Sequence, residues 1–188
     1  MSVRAGSLVV VGTGIKAIAH VTREAQHRLE RADKVLHVLA DPVTIRWVTE
    51  LNASAESLET LYETGRPRSE TYRAMVERTL GWVRRGAAVC LALYGHAGVF
   101  AAPGHEAVRQ ARSEGYQAEM LPAVSAEDCL FADLGMDPAT AGCQSYEATD
   151  FLLRPKRFDV SVPLILWQVG IIGELGYQVE YDRGGSGC

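Results

Sequence analysis

Apolar runs and glycine-rich breaks alternate along this chain as they do where strands lead into helices. Ser7-Leu8-Val9-Val10-Val11-Gly12 is short, β-branched and apolar after its first residue, which suits a strand covered on both faces. Gly12-Thr13-Gly14 follows at once. Ala17 to Arg31 then carries Ile18, Val21, Ala25 and Leu29 at helical intervals among charges, which predicts a helix. Lys34 to Leu39 reads as a second strand, and Pro42 to Leu51 as a helix with proline at its first position. Asp41 is either the cap of that helix or a carboxylate at a strand end. Gly65 and Pro67 mark a loop within residues 58–72. Ser69 offers a cap to a helix running to about Arg85, with Tyr72, Met75, Val76, Leu80 and Val83 as its apolar stripe.

Ala87 to Leu93 is the third apolar strand, and it stops abruptly at Tyr94-Gly95-His96-Ala97-Gly98-Val99-Phe100. Pro103-Gly104 breaks the chain again, Glu106 to Ser113 reads as a short helix ended by Gly115, and Tyr116 to Leu121 alternates like a strand. Ser125 caps a further helix, with Asp128 in the place of the usual glutamate of a capping box, and that helix ends near Gly135. Gln144 to Leu153 mixes aromatics and acids with no single period. Val162 to Gln168 reads as a last buried strand with Pro163 at its start or on an edge. Tyr177 to Tyr181 alternates again, and residues 182–188 resemble a linker.

Strands alternating with helices make this an α/β chain with a mostly parallel sheet flanked by helices. The glycine turns at 12–14 and 95–98 and the turn at 122–127 then gather at the sheet's carboxyl edge, where such folds hold ligands. The turn 12–14 is a poor match to a dinucleotide fingerprint, because no third glycine arrives on schedule.

Composition narrows the classes. The 188 residues are 47% hydrophobic, enough for a real core. A net charge of -4 argues against a nucleic-acid binder that relies on phosphate neutralisation. No apolar run has the length of a membrane span, and the first residues lack the apolar segment of a signal peptide. Cys90, Cys129, Cys143 and Cys188 show no CxxC spacing, so no metal site is expected and the compartment reads as the reducing cytoplasm.

Four segments together add to this picture: Val10-Val11-Gly12-Thr13-Gly14-Ile15, Leu93 to Phe100, Ala111 to Tyr116, and Leu121-Pro122-Ala123-Val124-Ser125-Ala126-Glu127-Asp128 through Leu134. They resemble the tetrapyrrole methylase superfamily and, more narrowly, the borosin peptide backbone α-N-methyltransferases. The loop Leu61 to Tyr72, the segment Gln144 to Leu152 and the strand Leu164 to Gly170 fit the same resemblance. It implies a first methylase lobe over residues 1–160 and the beginning of a second lobe over 161–188, truncated relative to the family. It implies S-adenosylmethionine as cofactor and S-adenosylhomocysteine as product, with Gly12, Gly14, Tyr94, His96, Val99, Phe100, Ser125, Ala126 and Gln168 around the cofactor. It also implies a homodimer and a precursor peptide as substrate. Since no core peptide follows Cys188, delivery of that peptide in trans is expected.

The catalytic positions implied by the resemblance fall on Arg68 and Tyr72, with Tyr62 and Tyr94 nearby. A peptide nitrogen is a poor nucleophile, because its lone pair is delocalised into the carbonyl. A tyrosine has a pKa of about 10, and a nearby guanidinium stabilises its phenolate. Tyr72 or Tyr62 is then the base, Arg68 its electrostatic partner and Tyr94 a positioning hydroxyl. Read without the resemblance, Arg68 is a solvated arginine and Tyr72 a half-buried core tyrosine. Two other functions compete: a tetrapyrrole C-methyltransferase of the same fold, and a truncated, non-catalytic binding module.

Overall fold

The computed structural model describes residues 5–172. Five strands form one parallel sheet: β1 (Ser7–Gly12), β2 (Lys34–Val38), β3 (Glu56–Ser57), β4 (Ala88–Leu93) and β5 (Gln117–Met120), in the order β3-β2-β4-β1-β5. The expected α/β class with a mostly parallel sheet flanked by helices is what the chain forms. Helices α1 (Arg23–Arg31) and α2 (Pro42–Leu51) cover one face; α3 (Arg68–Arg84) and α4 (Ala102–Ser113) cover the other. Alternation along β4 serves both layers. Val89, Leu91 and Leu93 pack with Met75, Val76 and Leu80 of α3. Cys90 and Ala92 pack with Leu29 and Val48. Both faces are buried, which explains why β1 and β4 read as continuous apolar runs.

The strand order contains a switch point. The chain leaves β1 toward β2 on one side and leaves β4 toward β5 on the other, although β1 and β4 are neighbours. Gly12 lies beside Leu93, as does Val38, so three strands end level with one another. The turns that follow β1 and β4 therefore open on a common crevice, the place where open α/β sheets bind ligands.

A second sheet is formed by β6 (Gln144–Glu147) and β7 (Leu164–Trp167), again parallel, with α7 (Ala148–Leu153) between them. Phe151 joins its parts, with ring centroids 5.5 Å from Tyr146 and 5.4 Å from Phe158. This sheet takes one strand from before residue 160 and one from after it.

Several expectations are corrected. The helix after the first glycine turn begins at Arg23 rather than Ala17, because Thr22 caps it by accepting a hydrogen bond from the Ala25 N–H and Ile18 has a positive φ of 60°. Ser69 is not a cap; α3 starts at Arg68 after Pro67. Pro103-Gly104 does not break the chain but lies in the first turn of α4, where proline needs no donor. Gly104 is there because a Cβ would sit 3.0 Å from Leu93 Cδ1 and 3.1 Å from the Ala97 carbonyl. The last strand is not buried among the described residues, since Leu164 and Leu166 are 36% and 37% exposed. The two-residue strand β3, the short helix α6 (Pro138–Ala141) and the strand β6 have no counterpart in the sequence reading. The alternation at Tyr177 to Tyr181 and the linker-like tail at 182–188 lie outside the described residues.

Candidate active site

Three turns meet at the carboxyl edge of the large sheet through backbone contacts. A Cβ on Gly12 would lie 2.2 Å from the Gly95 carbonyl oxygen, 2.6 Å from Ala123 Cβ and 3.0 Å from the Ala97 nitrogen. One missing side chain thus lets all three turns close on one another. Gly14 and Gly95 exchange N–H···O=C hydrogen bonds of 3.1 Å in both directions, each with positive φ. Thr13, buried between them, donates its N–H and its hydroxyl to the Leu93 carbonyl at 2.9 and 3.3 Å.

The loop after β4 is pinned by two imidazoles. His96 Nδ1 accepts from the Gly98 N–H at 2.9 Å, so Nδ1 carries no proton in this arrangement. His105 Nε2, on α4, lies 2.9 Å from the Gly98 carbonyl and must donate to it. His105 was not singled out in the sequence; nothing in its local pattern signals a partner seven residues back. Ala97, Ala123 and Thr13 were passed over for the same reason: their part is played in tertiary packing.

Phe100 ends that loop with φ 51°, one of three non-glycine residues with positive φ among the described residues; Ile18 and Gln168 are the others. Each follows the carboxyl end of a strand, and such strain collects where a site is being shaped. The Phe100 ring lies 6.0 Å from that of Trp167 at the end of β7, which joins the second sheet to the loop after β4. Gln168 is the next residue after Trp167. Ser125 is buried at the start of α5 (Ala126–Leu134). Its hydroxyl accepts the Asp128 N–H at 3.1 Å, while Asp128 accepts from the Ser125 N–H and hydroxyl at 2.6 Å each. Ala126 begins that helix, and Val99 lies exposed on the loop after His96.

Next to the glycine turns is a pocket of about 140 Å³ lined by Tyr62, Tyr72, Tyr94, Phe100, Leu93 and Met75, among others. Tyr94 reaches it because its N–H bonds the Val38 carbonyl at 3.1 Å, extending the β2–β4 ladder by one residue. Tyr72 reaches it from the second turn of α3, and Tyr62 from the end of the short 3₁₀ turn Glu59–Leu61. Three tyrosines expected at the site thus share one wall. Burial pushes the Tyr62 phenol well above its usual range; the neighbouring Tyr72 and a hydrogen bond with it act the same way, and the Arg68 guanidinium opposes them. Tyr62 therefore keeps its proton at neutral pH, while Arg68 is close enough for its charge to act on it.

A larger hollow of about 640 Å³ lies at the opposite, amino edge, lined by Ser7, Arg28, Ala88 and Glu119 among others. Arg28 in its wall is engaged by Glu119 at 2.8 Å and Glu24 at 3.7 Å.

Residues 7–159 match the family described as Tetrapyrrole (Corrin/Porphyrin) Methylases. A methyltransferase/ribosomally synthesized cyclic peptide gymnopeptides precursor of Gymnopus fusipes is 48% identical over 170 residues, spanning 90% of this chain and 40% of its own length. A methyltransferase/ribosomally synthesized type I borosin cyclic peptide precursor of Coprinopsis marcescibilis is 46% identical over 179 residues, spanning 95% and 46%. The corresponding omphalotin A precursor of Omphalotus olearius is 46% identical over 170 residues, spanning 90% and 41%. The chain thus spans less than half the length of these curated relatives. Among solved structures, a uroporphyrin-III-C-methyltransferase from Thermus thermophilus shares the fold, with a TM-score of 0.64, 24% identity and coverage of 87% of this chain and 68% of that one.

Proposed function

The chain belongs to the tetrapyrrole (corrin/porphyrin) methylases, and on that footing we propose that it transfers the methyl group of S-adenosylmethionine to backbone amide nitrogens of a peptide. The observation that carries this reading is the convergence of Tyr62, Tyr72 and Tyr94 on one small pocket beside the glycine turns, with Arg68 acting on it. The names of the similar proteins, which are methyltransferase and peptide precursor in one, support a peptide as the acceptor.

The crevice fits the cofactor on structural grounds. Gly12 and the positive-φ Gly14 and Gly95 let backbone come close where a side chain would intrude. In this proposal Gly12, Gly14, His96, Val99, Ser125, Ala126 and Gln168 border the cofactor, with Tyr94 and Phe100 facing both it and the acceptor. When bound, it supplies an electrophilic methyl group on a cationic sulfonium.

The protein's own residues solve the other half of the problem. An amide nitrogen becomes nucleophilic when its proton is removed and negative charge is accepted at the carbonyl oxygen. Tyr62, whose proton is held by burial and by Tyr72, is the hydrogen-bond donor to that oxygen. Tyr72 is the base that takes the amide proton, and the Arg68 charge acts on the same pocket. Tyr94, at the strand end, orients the acceptor. The low-polarity wall of Phe100, Leu93 and Met75 keeps these charges effective.

Homodimerisation belongs to the same reading. Leu152, Leu153 and Val160 are 65%, 74% and 90% exposed, apolar surface that a second copy would cover; sedimentation velocity reads the mass directly.

The test is an intact-mass measurement of a candidate precursor peptide, added as a separate molecule with S-adenosylmethionine. Gains in steps of one methyl, located on backbone nitrogens by fragmentation, are expected. Methylation of uroporphyrinogen and of no peptide overturns the proposal. Absence of cofactor binding in calorimetry reduces the chain to a binding module.

A further inference from the structure

The tyrosine pocket has a neighbour on the other side of Tyr72. Between α3 and α4 runs a groove of about 430 Å³ whose lining includes Tyr72, Arg73, Glu77, Pro103, Glu106 and Gln110. Tyr72 and Pro103 line both spaces, so groove and pocket adjoin across two side chains.

The charges in the groove are unequally committed. Glu77 accepts from Arg84 at 2.9 Å. Glu106 accepts from Arg109 Nε at 2.8 Å and from Gln110 at 2.5 Å, and these bonds hold its carboxyl down at about 2. The arginines of α3 divide in the same way. Arg78 pairs with Glu56 at 3.4 Å, and Arg84 with Glu77 and Glu114. Arg68 and Arg73 have no carboxylate partner among the described residues. Arg68 serves the tyrosine pocket; Arg73, one residue from Tyr72, stands on the groove wall. Both acids that share that wall are already satisfied, so its electrostatic demand is for an incoming anion.

A peptide acceptor makes such a demand meaningful. An extended chain advances about 3.3 Å per residue, so a pocket of about 140 Å³ takes the reacting unit and little more. The adjoining residues need a path away from it, and the groove offers one with both polar and apolar walls.

We propose that the α3–α4 groove seats the segment flanking the methylated amide, and that Arg73 pairs there with an acidic side chain of that segment. This rests on the peptide-acceptor reading above. Arginine suits the role, since its planar fork binds a carboxylate through two parallel hydrogen bonds.

A selection from a displayed library of random peptides, run on the immobilised full chain and on Arg73→Glu, tests this by binding alone. Asp and Glu are expected to be enriched several-fold among peptides held by the wild type, and Lys and Arg among those held by Arg73→Glu. Arg73 is exposed and has no carboxylate partner among the described residues, so the variant is expected to melt with the wild type. For a peptide so selected, Arg73→Glu raises KM about tenfold with kcat unchanged, as expected when binding is lost equally from ground and transition states. Equal composition on both proteins, or no acidic enrichment on the wild type, overturns the groove assignment. So does methylation of peptides with no preference for a flanking acid, and in that case the methyltransferase reading stands. A wild type that methylates no peptide overturns that reading and, with it, the claim that this groove serves an acceptor.

Discussion

At the carboxyl edge of the large sheet, the turns after β1 and β4 are held by backbone against backbone, while the pocket beside them is made of side chains. Gly12 has a carbonyl oxygen, a methyl group and an amide nitrogen where its own Cβ would be. Tyr62, Tyr72 and Tyr94 line a pocket of about 140 Å³, and each carries one hydroxyl at the ring's far end. The first region leaves no room for a side chain at Gly12. The second tolerates changes of shape but depends on single oxygen atoms. A substitution in one should therefore act on the fold and cofactor together, and in the other on the chemistry alone.

The largest effect is expected from the pocket. Tyr72→Phe keeps the ring in the hydrophobic core and removes one hydroxyl; Arg68→Ala removes the charge that acts on the pocket. Each should lower the rate of methyl transfer about 10³-fold, within the usual range for removing a general base or an electrostatic stabiliser. Stability should fall by only about 1 kcal/mol, the net worth of one hydrogen bond. Single-turnover mass spectrometry read beside thermal melts separates the two. A variant of either kind with wild-type turnover removes the residue from the mechanism.

Gly12→Ala should do the reverse. The three atoms that crowd the new methyl group are not ends of flexible side chains, so the turns must move apart. Overpacking of this kind costs about 3 kcal/mol. The melting point and the cofactor affinity should fall together. Gly65→Ala is the control: φ is +78° but nothing lies within 4 Å, so only the backbone strain of about 1 kcal/mol remains. If Gly12→Ala melts with the wild type, the three turns are not locked as the contacts require.

The same contrast decides how much could be read from the sequence. The backbone-built part was legible. β1, β2 and β4 announced themselves as apolar runs, and α5 showed both its capping box and its terminal Gly135, which has φ 62°. The glycines at 12, 14 and 95 marked the turns that gather at the sheet edge. What failed was local in one group of cases: Pro103-Gly104 looks like a break and is the start of a helix, because burial against Leu93 and Ala97 supplies a reason for that glycine which spacing does not show. The pocket was illegible from pattern alone. Residues 62, 72 and 94 meet only because β2 and β4 are adjacent, and no periodicity announces a strand order. Their pairing as a site came from resemblance to known sequences. The second sheet escaped because β6 has only four residues, one of them exposed, and its aromatic packing against Phe151 crosses elements.

A joint between the two kinds of construction lies at Ser125, a side-chain cap next to the turn whose Ala123 touches Gly12. Its hydroxyl accepts from the Asp128 N–H, and the Asp128 carboxylate accepts from both the Ser125 hydroxyl and N–H. Ser125→Ala should cost about 1 kcal/mol at neutral pH, as loss of a cap does. The pH dependence divides that cost. The Ser125 hydroxyl, followed by its N–H, holds the Asp128 carboxyl below its ordinary range in the folded protein. A group lowered on folding contributes stability fully above its unfolded pKa of about 3.9, and that contribution is lost as pH falls through the folded value. The gap between wild type and Ser125→Ala in urea midpoints should therefore be constant from neutrality to about pH 5 and narrow below about pH 4. It should not close, because the bond from the Asp128 N–H to the Ser125 hydroxyl does not depend on that carboxylate. Asp128→Asn removes the acid and keeps that N–H, so its gap to wild type should shrink almost to nothing over the same range. A Ser125→Ala gap that widens on acidification reverses the sign and places the Asp128 proton elsewhere.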